Sequence, residues 1–304
     1  MHNVELLVDV LNYESLNIAL ENGADAVCIG DGLKNFSYDD LRKSIELSHN
    51  LDKKIYLYFN KIPHEKDLLD IKKYLINIKD FDIDAIVVID AGTLELVKQI
   101  IPSVRVHLSD QANITNYETA KFWYNQGINR LMISKELSLE EIGQIRINIP
   151  MDMEIEVLAH GSILISHSGR SLLSNFIKDK TNKVKKDFDL TKDTYNLVEQ
   201  KREGQYFPVY EDERGTFLYN TKDLCTLEYL PDIIKSGVYS LRIDTKFKNK
   251  DYIKEVVKAY RVSIDKFYAQ KDKWKFNPIW IENLKKINHR ELTSGFYLDE
   301  IKFD

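Results

Sequence analysis

Cysteine is nearly absent: Cys28 and Cys225 are the only two in 304 residues, and they form no Cys-x-x-Cys pair. Two thiols cannot supply a four-thiolate metal or iron–sulfur site, so no such group is expected on this chain alone. The same scarcity excludes a disulfide-stapled secreted scaffold. Long apolar runs are lacking too; none reaches the ~20 residues that cross a bilayer, so no membrane contact is expected. The N-terminus MHNVELLVDVLN has neither a basic start before an apolar stretch nor a small-residue cleavage site. A cytoplasmic protein is expected. Excess positive charge is missing as well, the formal net charge being −5. That excludes nucleic-acid binding through the whole surface but leaves local basic patches open.

Familiar catalytic signatures are also absent. No Gly-x-Ser-x-Gly elbow occurs, and Ser168-Gly169 follows His167 rather than a strand-turn glycine. There is no His-Glu-x-x-His motif, and His160 and His167 have no carboxylate in ligand spacing. No Walker A sequence is present. GADAVCIGDG lacks the glycine spacing and later acid of a dinucleotide fold.

What is present is a repeated βα pattern. With 43% hydrophobic and 30% charged residues, the chain has the balance of a globular protein rather than a disordered one. Short apolar runs, each ending at a polar residue or glycine, lie at Val4–Val8, Ala26–Ile29, Ile55–Phe59, Ala85–Ile89, Val104–Leu108, Leu131–Ile133 and Ile155–Leu158. Helix-period segments separate them, such as Tyr13–Asn22, Asp67–Lys79 and Leu139–Ile147, the last with Ser138 and Glu141 in capping-box spacing. Near-continuous apolar strands imply burial on both faces and hence a parallel sheet under helices. An open doubly wound sheet shares this local pattern. The run of similar units, with a late one at Ser240–Ile243 and Lys250–Ala269, favours an α/β fold of the (β/α)8 TIM-like barrel type. It would carry an insertion after strand 7 and a C-terminal extension.

The barrel with its insertion at 161–237 is expected to occupy residues 1–270, and a closing helix and extension 271–304 to pack on it. Within the insertion, Thr191–Lys201 reads as a short helix and Gln205–Asn220 as a hairpin about Asp212–Gly215. The basic run Lys183–Lys186 reads first as a solvated face and second as an RNA contact.

In such a barrel the reactive groups gather at the C-terminal strand ends. Those ends carry Asp31, Asn60, Asp90, His107, Ser109, Asp110, Gln111, Lys135, Glu136, His160 and Asp244. His107, Asp110, Gln111, His160 and Asp244 are the catalytic candidates, since a histidine beside a carboxylate makes a general base. The competing reading is that several only cap helices or satisfy loop backbone.

The segment EVLAHGSILISHSGRSLLS, Glu156–Ser174, resembles the signature of the peptidase U32 family. Further segments resemble family elements in the same order along nearly the whole chain. These are ALENGADAVCIG, SDQANITN, ISKELSLEEI, YFPVYEDERGTFLYNTKDLC, GVYSLRIDTKFKNK and HRELTSGFY. The departures concern cysteine. Leu164 and Ser171 stand where the family has its two signature cysteines, and only Cys225 keeps a cysteine position. The element Arg242-Ile243-Asp244-Thr245-Lys246 also replaces a family glycine and arginine.

In the family those cysteines are understood to hold a [4Fe–4S] cluster. The resemblance therefore implies a cluster-less chain, like the short member of the paired U32 proteins of some Gram-positive bacteria. It implies a subunit that supports prephenate-dependent 5-hydroxylation of the tRNA wobble uridine, beside a longer, cysteine-rich U32 partner bearing the [4Fe–4S] cluster. Ser168, Arg170, Lys246 and Lys248 are then candidates for contacts to tRNA phosphate or prephenate carboxylate, with a structural salt bridge as the alternative for Arg170. Two other readings stand beside it: a U32 peptidase, hence a hydrolase, and a non-catalytic ligand-binding or scaffold subunit.

Overall fold

The computed structural model describes residues 3–30, 35–180, 195–198, 200–201, 204–288 and 290–298. Strand β1 (Glu5–Val10) leads through helix α1 (Tyr13–Glu21) to β2 (Ala26–Ile29), and α2 (Tyr38–Asn50) leads to β3 (Lys54–Tyr58). The alternation continues with α3 (Leu68–Ile78), β4 (Ala85–Val88), α4 (Ala91–Ile100), β5 (Arg105–Leu108), α5 (Tyr117–Asn125), β6 (Arg130–Met132), α6 (Leu139–Asn148) and β7 (Glu154–Ser168). After α7 (Leu172–Lys180) come β8 (Tyr195–Val198), β9 (Tyr206–Asp212) and β10 (Gly215–Cys225). The series closes with α8 (Leu230–Lys235), β11 (Ser240–Ile243), α9 (Lys250–Gln270), α10 (Ile279–Ile287) and the short β12 (Leu292–Thr293).

Strands β1 to β7 pair in order, each parallel to the next, and β11 pairs in parallel with both β7 and β1. Eight parallel strands thus close on themselves. This is a TIM barrel, and the closure by β11 decides against the open sheet. Local sequence explains the helix starts. Asn12, Ser37, Asp90, Asn116, Ser138 and Asn249 each accept a hydrogen bond from a backbone N–H of the first turn. Ser138 and Glu141 form the expected reciprocal box.

The strands bury both faces, as their composition demands. Leu6 and Val8 of β1 are fully buried, as are Leu16 and Ala19 of α1. The alternate residues Leu7, Cys28, Tyr56, Tyr58, Val87 and Met132 belong to a second buried cluster.

The chain divides into two compact units. The first holds residues 1–161, 224–289 and 293–304, and so takes in the barrel strands and α10. The second holds residues 162–223 and 290–292. In it the outer part of β7 begins a sheet that continues in the order β10, β9, β8. The hairpin expected around Asp212–Gly215 is β9 and β10, paired antiparallel from Gly215 opposite Asp212. Gly215 is required there: its φ is +123°, and a Cβ would strike the backbone carbonyl of Ser168.

One expectation needs correction. Within Thr191–Lys201, residues Tyr195–Val198 form a strand, not a helix. They pair antiparallel with Tyr206–Val209 of β9, and this ladder outweighs a weak helical period. Lys183–Lys186 lies outside the described residues.

Candidate functional site

The barrel is unusual in being lined by charge. Arg130, at the start of β6, is almost wholly buried. Its guanidinium donates to Glu5 on β1 at 2.6 Å and to Glu154 on β7 at 2.7 Å, with Glu156 at 3.2 Å. Tyr56 of β3 adds a hydrogen bond to Glu5 at 2.8 Å. Arg242 of β11 lies further along the strands. It bonds Glu156 through Nη1 at 3.2 Å and Asp9 through Nε at 2.8 Å and Nη2 at 2.7 Å. Each oxygen of Glu156 therefore serves a different arginine. Burying so many charges is tolerable only because each has a partner.

Toward the C-terminal strand ends the lining becomes a polar cluster. Tyr58 Oη and Ser109 Oγ lie 2.6 Å apart, and Gln111 Nε2 donates to Tyr58 Oη at 3.4 Å. Lys135, after β6, pairs with Asp110 at 2.5 Å. Burial alone would raise the Asp110 carboxyl, but the Lys135 ammonium beside it holds it below the ordinary carboxylate range. Asp9 goes the other way. Burial outweighs Arg242, and with Asp244 and Glu156 nearby its carboxyl is pushed up to about 7. Thr245 Oγ1 donates to the Asp9 carbonyl at 2.7 Å, and Asp244 Oδ1 accepts from the Lys246 backbone at 2.7 Å. Gly161 permits the close approach of β7 and β11 here, since a Cβ would strike the Asp244 carbonyl.

This geometry sorts the candidates. Asp110 and Gln111 stand together in the turn after β5, and Asp244 follows β11 beside Asp9. His107 does not stand at the mouth. It is the third residue of β5, fully inside the barrel, with its ring 4.9 Å from that of Tyr56. Burial, together with Arg130 and Arg105, holds its imidazole well below the ordinary histidine value and so neutral. His160 is buried as well. Its Nε2 lies 2.6 Å from Tyr252 Oη of α9, and Tyr260 of the same helix is 3.4 Å from Nδ1, which is a packing role between strand and helix. Asp90 caps α4. Asp31 lies outside the described residues.

The proposed ligand contacts fall in separate units. Ser168 and Arg170 belong to the second, where Arg170 is exposed and its carbonyl accepts from Thr216 Oγ1 at 2.8 Å. Lys246 and Lys248 belong to the first, at the end of β11. Asp9, Tyr58 and Arg242 join the strand-end candidates only in the folded chain. The available signal was a charged or polar residue at an inward position near the end of an apolar strand.

The residues present do not fit an iron–sulfur cluster. Leu164 is half-buried, Ser171 is exposed, and neither has a sulfur atom. Cys225 is buried in the other unit, and burial raises the Cys28 thiol far above its ordinary value, which disfavours the thiolate a metal needs. Among the described residues, no group of three or more His, Cys, Asp or Glu side chains is placed to hold a metal ion. No described helix is long and apolar enough to cross a membrane.

Comparison with known proteins agrees with this fold. A family model described as Peptidase family U32 matches residues 11–303. The tRNA hydroxylation protein P1 of Bacillus subtilis (strain 168) is 31% identical over 96% of this chain and 70% of its own length. The tRNA hydroxylation protein P2 of the same organism is 29% identical over 99% of both chains. Among solved structures, the U32 peptidase Mk0906 superposes with a TM-score of 0.50 at 12% identity, covering 82% of this chain and 95% of that one. At that identity the likeness concerns the fold alone.

Proposed function

The chain belongs to peptidase family U32, and from that premise we propose that it acts in the hydroxylation of tRNA, as a subunit without a cluster of its own. The observation that carries the reading is the match to the tRNA hydroxylation proteins P1 and P2 over nearly the whole of this chain. The missing thiolates support a division of labour. A longer, cysteine-rich U32 partner would hold the [4Fe–4S] cluster, and this chain would contribute a barrel and a surface for tRNA. The wobble uridine, hydroxylated at its 5-position, is the site in this reading, and prephenate is the co-substrate.

The barrel mouth offers a polar lining in which Arg242 and Lys135 are paired with carboxylates, so it suits a polar ligand. Arg242 is locked between Asp9 and Glu156, so its guanidinium cannot swing toward bulk water. Lys135 is paired with Asp110 at the same strand ends, and Tyr58, Ser109 and Gln111 bring hydroxyl and amide groups. These residues would bind and orient; the oxidising chemistry would lie with the partner. Peptide hydrolysis finds no such support, because the two candidate histidines are both engaged in packing.

The test is co-expression with a longer U32 protein of the same organism, then gel filtration and nucleoside mass spectrometry of added tRNA. Co-elution, with 5-hydroxyuridine formed only by the pair, is the expected result. A partner that forms the nucleoside equally well without this chain would remove the subunit role.

A further inference from the structure

Charge is unevenly placed along this chain. Residues 248–288 hold eleven Lys and Arg against five Asp and Glu, a surplus of six cations in a protein whose formal net charge is −5. The surplus falls on α9, α10 and the loop between them, all within the first compact unit. In α9 the lysines recur every fourth residue, as Lys250, Lys254 and Lys258, and after Val262 as Lys266. That spacing makes one row along the helix surface, with a step of about 6 Å and a length of roughly 24 Å. The loop adds Lys271, Lys273 and Lys275, and the last turn of α10 adds Lys285 and Lys286. All nine lysines are exposed.

The two helices run side by side and antiparallel. Lys266 Nζ stands 5.2 Å from the Trp280 ring at one end, and Lys248 Nζ meets Asn288 Oδ1 at 3.4 Å at the other. Because α9 starts where β11 ends, the second of these ends is the one at the barrel mouth. Acidic partners are few. Lys250 lies 3.8 Å from Glu14, and Asp265 is taken by Arg261 at 2.7 Å. Among the described residues, Lys254, Lys258, Lys285 and Lys286 have no carboxylate within ion-pair distance, and Lys286 donates to Asn283 Oδ1 at 3.2 Å. An extended row of cations suits a polyanion with evenly spaced charges better than it suits a small anion. The loop aromatics argue for a nucleic acid over a bilayer. Trp274 and Phe276 are half-buried, and Trp274 Nε1 donates to the Ser263 carbonyl at 3.2 Å, so the loop presents ammonium groups rather than rings that enter a membrane.

We propose that the lysines of α9 and α10 form a track for the phosphate backbone of RNA, running outward from the barrel mouth along the helix pair. This rests on the tRNA reading above and deepens it by naming the surface that holds the substrate. Such contacts position a nucleic acid without reading its sequence.

The test compares two fourfold variants with wild type, each as the purified full chain. The first carries Lys254→Gln, Lys258→Gln, Lys285→Gln and Lys286→Gln, and should melt like wild type because the side chains are exposed. Its affinity for total tRNA, measured by filter binding, should fall about tenfold or more, and the slope of log affinity against log salt should become shallower by about 3. The second removes the same charge elsewhere, at the exposed Lys43, Lys66, Lys72 and Lys79, and should keep both affinity and slope. Unchanged affinity and slope in the first variant overturn the proposal, as do an equal loss in the second or no tRNA binding by wild type. If the first variant keeps its tRNA affinity but loses binding to phosphatidylglycerol vesicles, the track faces a membrane and the proposal falls. It falls equally if that variant keeps its tRNA affinity but no longer co-elutes with the longer U32 protein. Unchanged 5-hydroxyuridine in a strain lacking the gene would overturn the hydroxylation reading alone, and filter binding would still decide the role of the track.

Discussion

Glu156 Oε1 accepts a hydrogen bond from Arg242 at 3.2 Å inside the barrel, while its Oε2 takes one from Arg130 at the same distance. Through this one carboxylate the ion pairs near the N-terminal strand ends, Glu5 and Glu154 around Arg130, continue to Asp9 near the mouth. The position of Arg242 therefore depends on Glu156 as well as on Asp9.

Arg130→Met should be strongly destabilising. It leaves three buried carboxylates, Glu5, Glu154 and Glu156, without their common partner. Breaking a buried pair in this way costs about 3–5 kcal/mol. Chemical denaturation should show the midpoint falling with the slope unchanged, whereas a loss under ~1 kcal/mol would mean that the network is energetically idle.

Asp9 should give stability a recognisable pH dependence. Its carboxyl is raised to about 7, so the contribution of its protonated form is complete below the ordinary value near 4 and is lost as pH rises through about 7. The groups facing it are Arg242 and Asp244 from β11 and its end, Glu156 from β7, Cys28 from β2 and Tyr58 from β3. Asp9→Asn removes the titration and keeps the shape. The melting-temperature advantage of wild type over this variant should shrink steadily between pH 4.5 and 7.5. A constant difference would show that Asp9 does not titrate in that window.

Gly161→Ala should disturb the contact between β7 and β11. Its φ is +117°, and a methyl group would meet the backbone carbonyl of Asp244, which cannot move without its strand. A loss of roughly 2 kcal/mol or more is expected from thermal melts. A variant as stable as wild type would mean that the barrel relaxes here at little cost.

Iron reconstitution of this chain alone, under strict anaerobiosis, should give no stoichiometric cluster and no visible charge-transfer absorption. With only Cys28 and Cys225 as thiols, four thiolates cannot be assembled on one chain. A cluster bound at one per chain would contradict this.

The barrel was legible because its strands are short apolar runs at even spacing, and Ala26–Ile29 and Ser240–Ile243 are found where they were expected. Asp110, Gln111 and Asp244 were legible as strand-end residues. The apolar run Val104–Leu108 ends where β5 ends, so His107 lies inside the strand rather than after it, and its side chain is buried in the barrel. His160 follows the apolar run Ile155–Leu158, but β7 continues through it to Ser168, so it too lies within a strand. Asp9 and Arg242 were hidden because a charge inside an apolar strand is meaningful only once its partner, more than 200 residues away, is brought beside it.

The most direct test of the account is mass spectrometry of tRNA nucleosides from the source organism with and without this gene. The account predicts loss of 5-hydroxyuridine and its derivatives in the deletion strain and recovery on complementation. An unchanged nucleoside profile would contradict it.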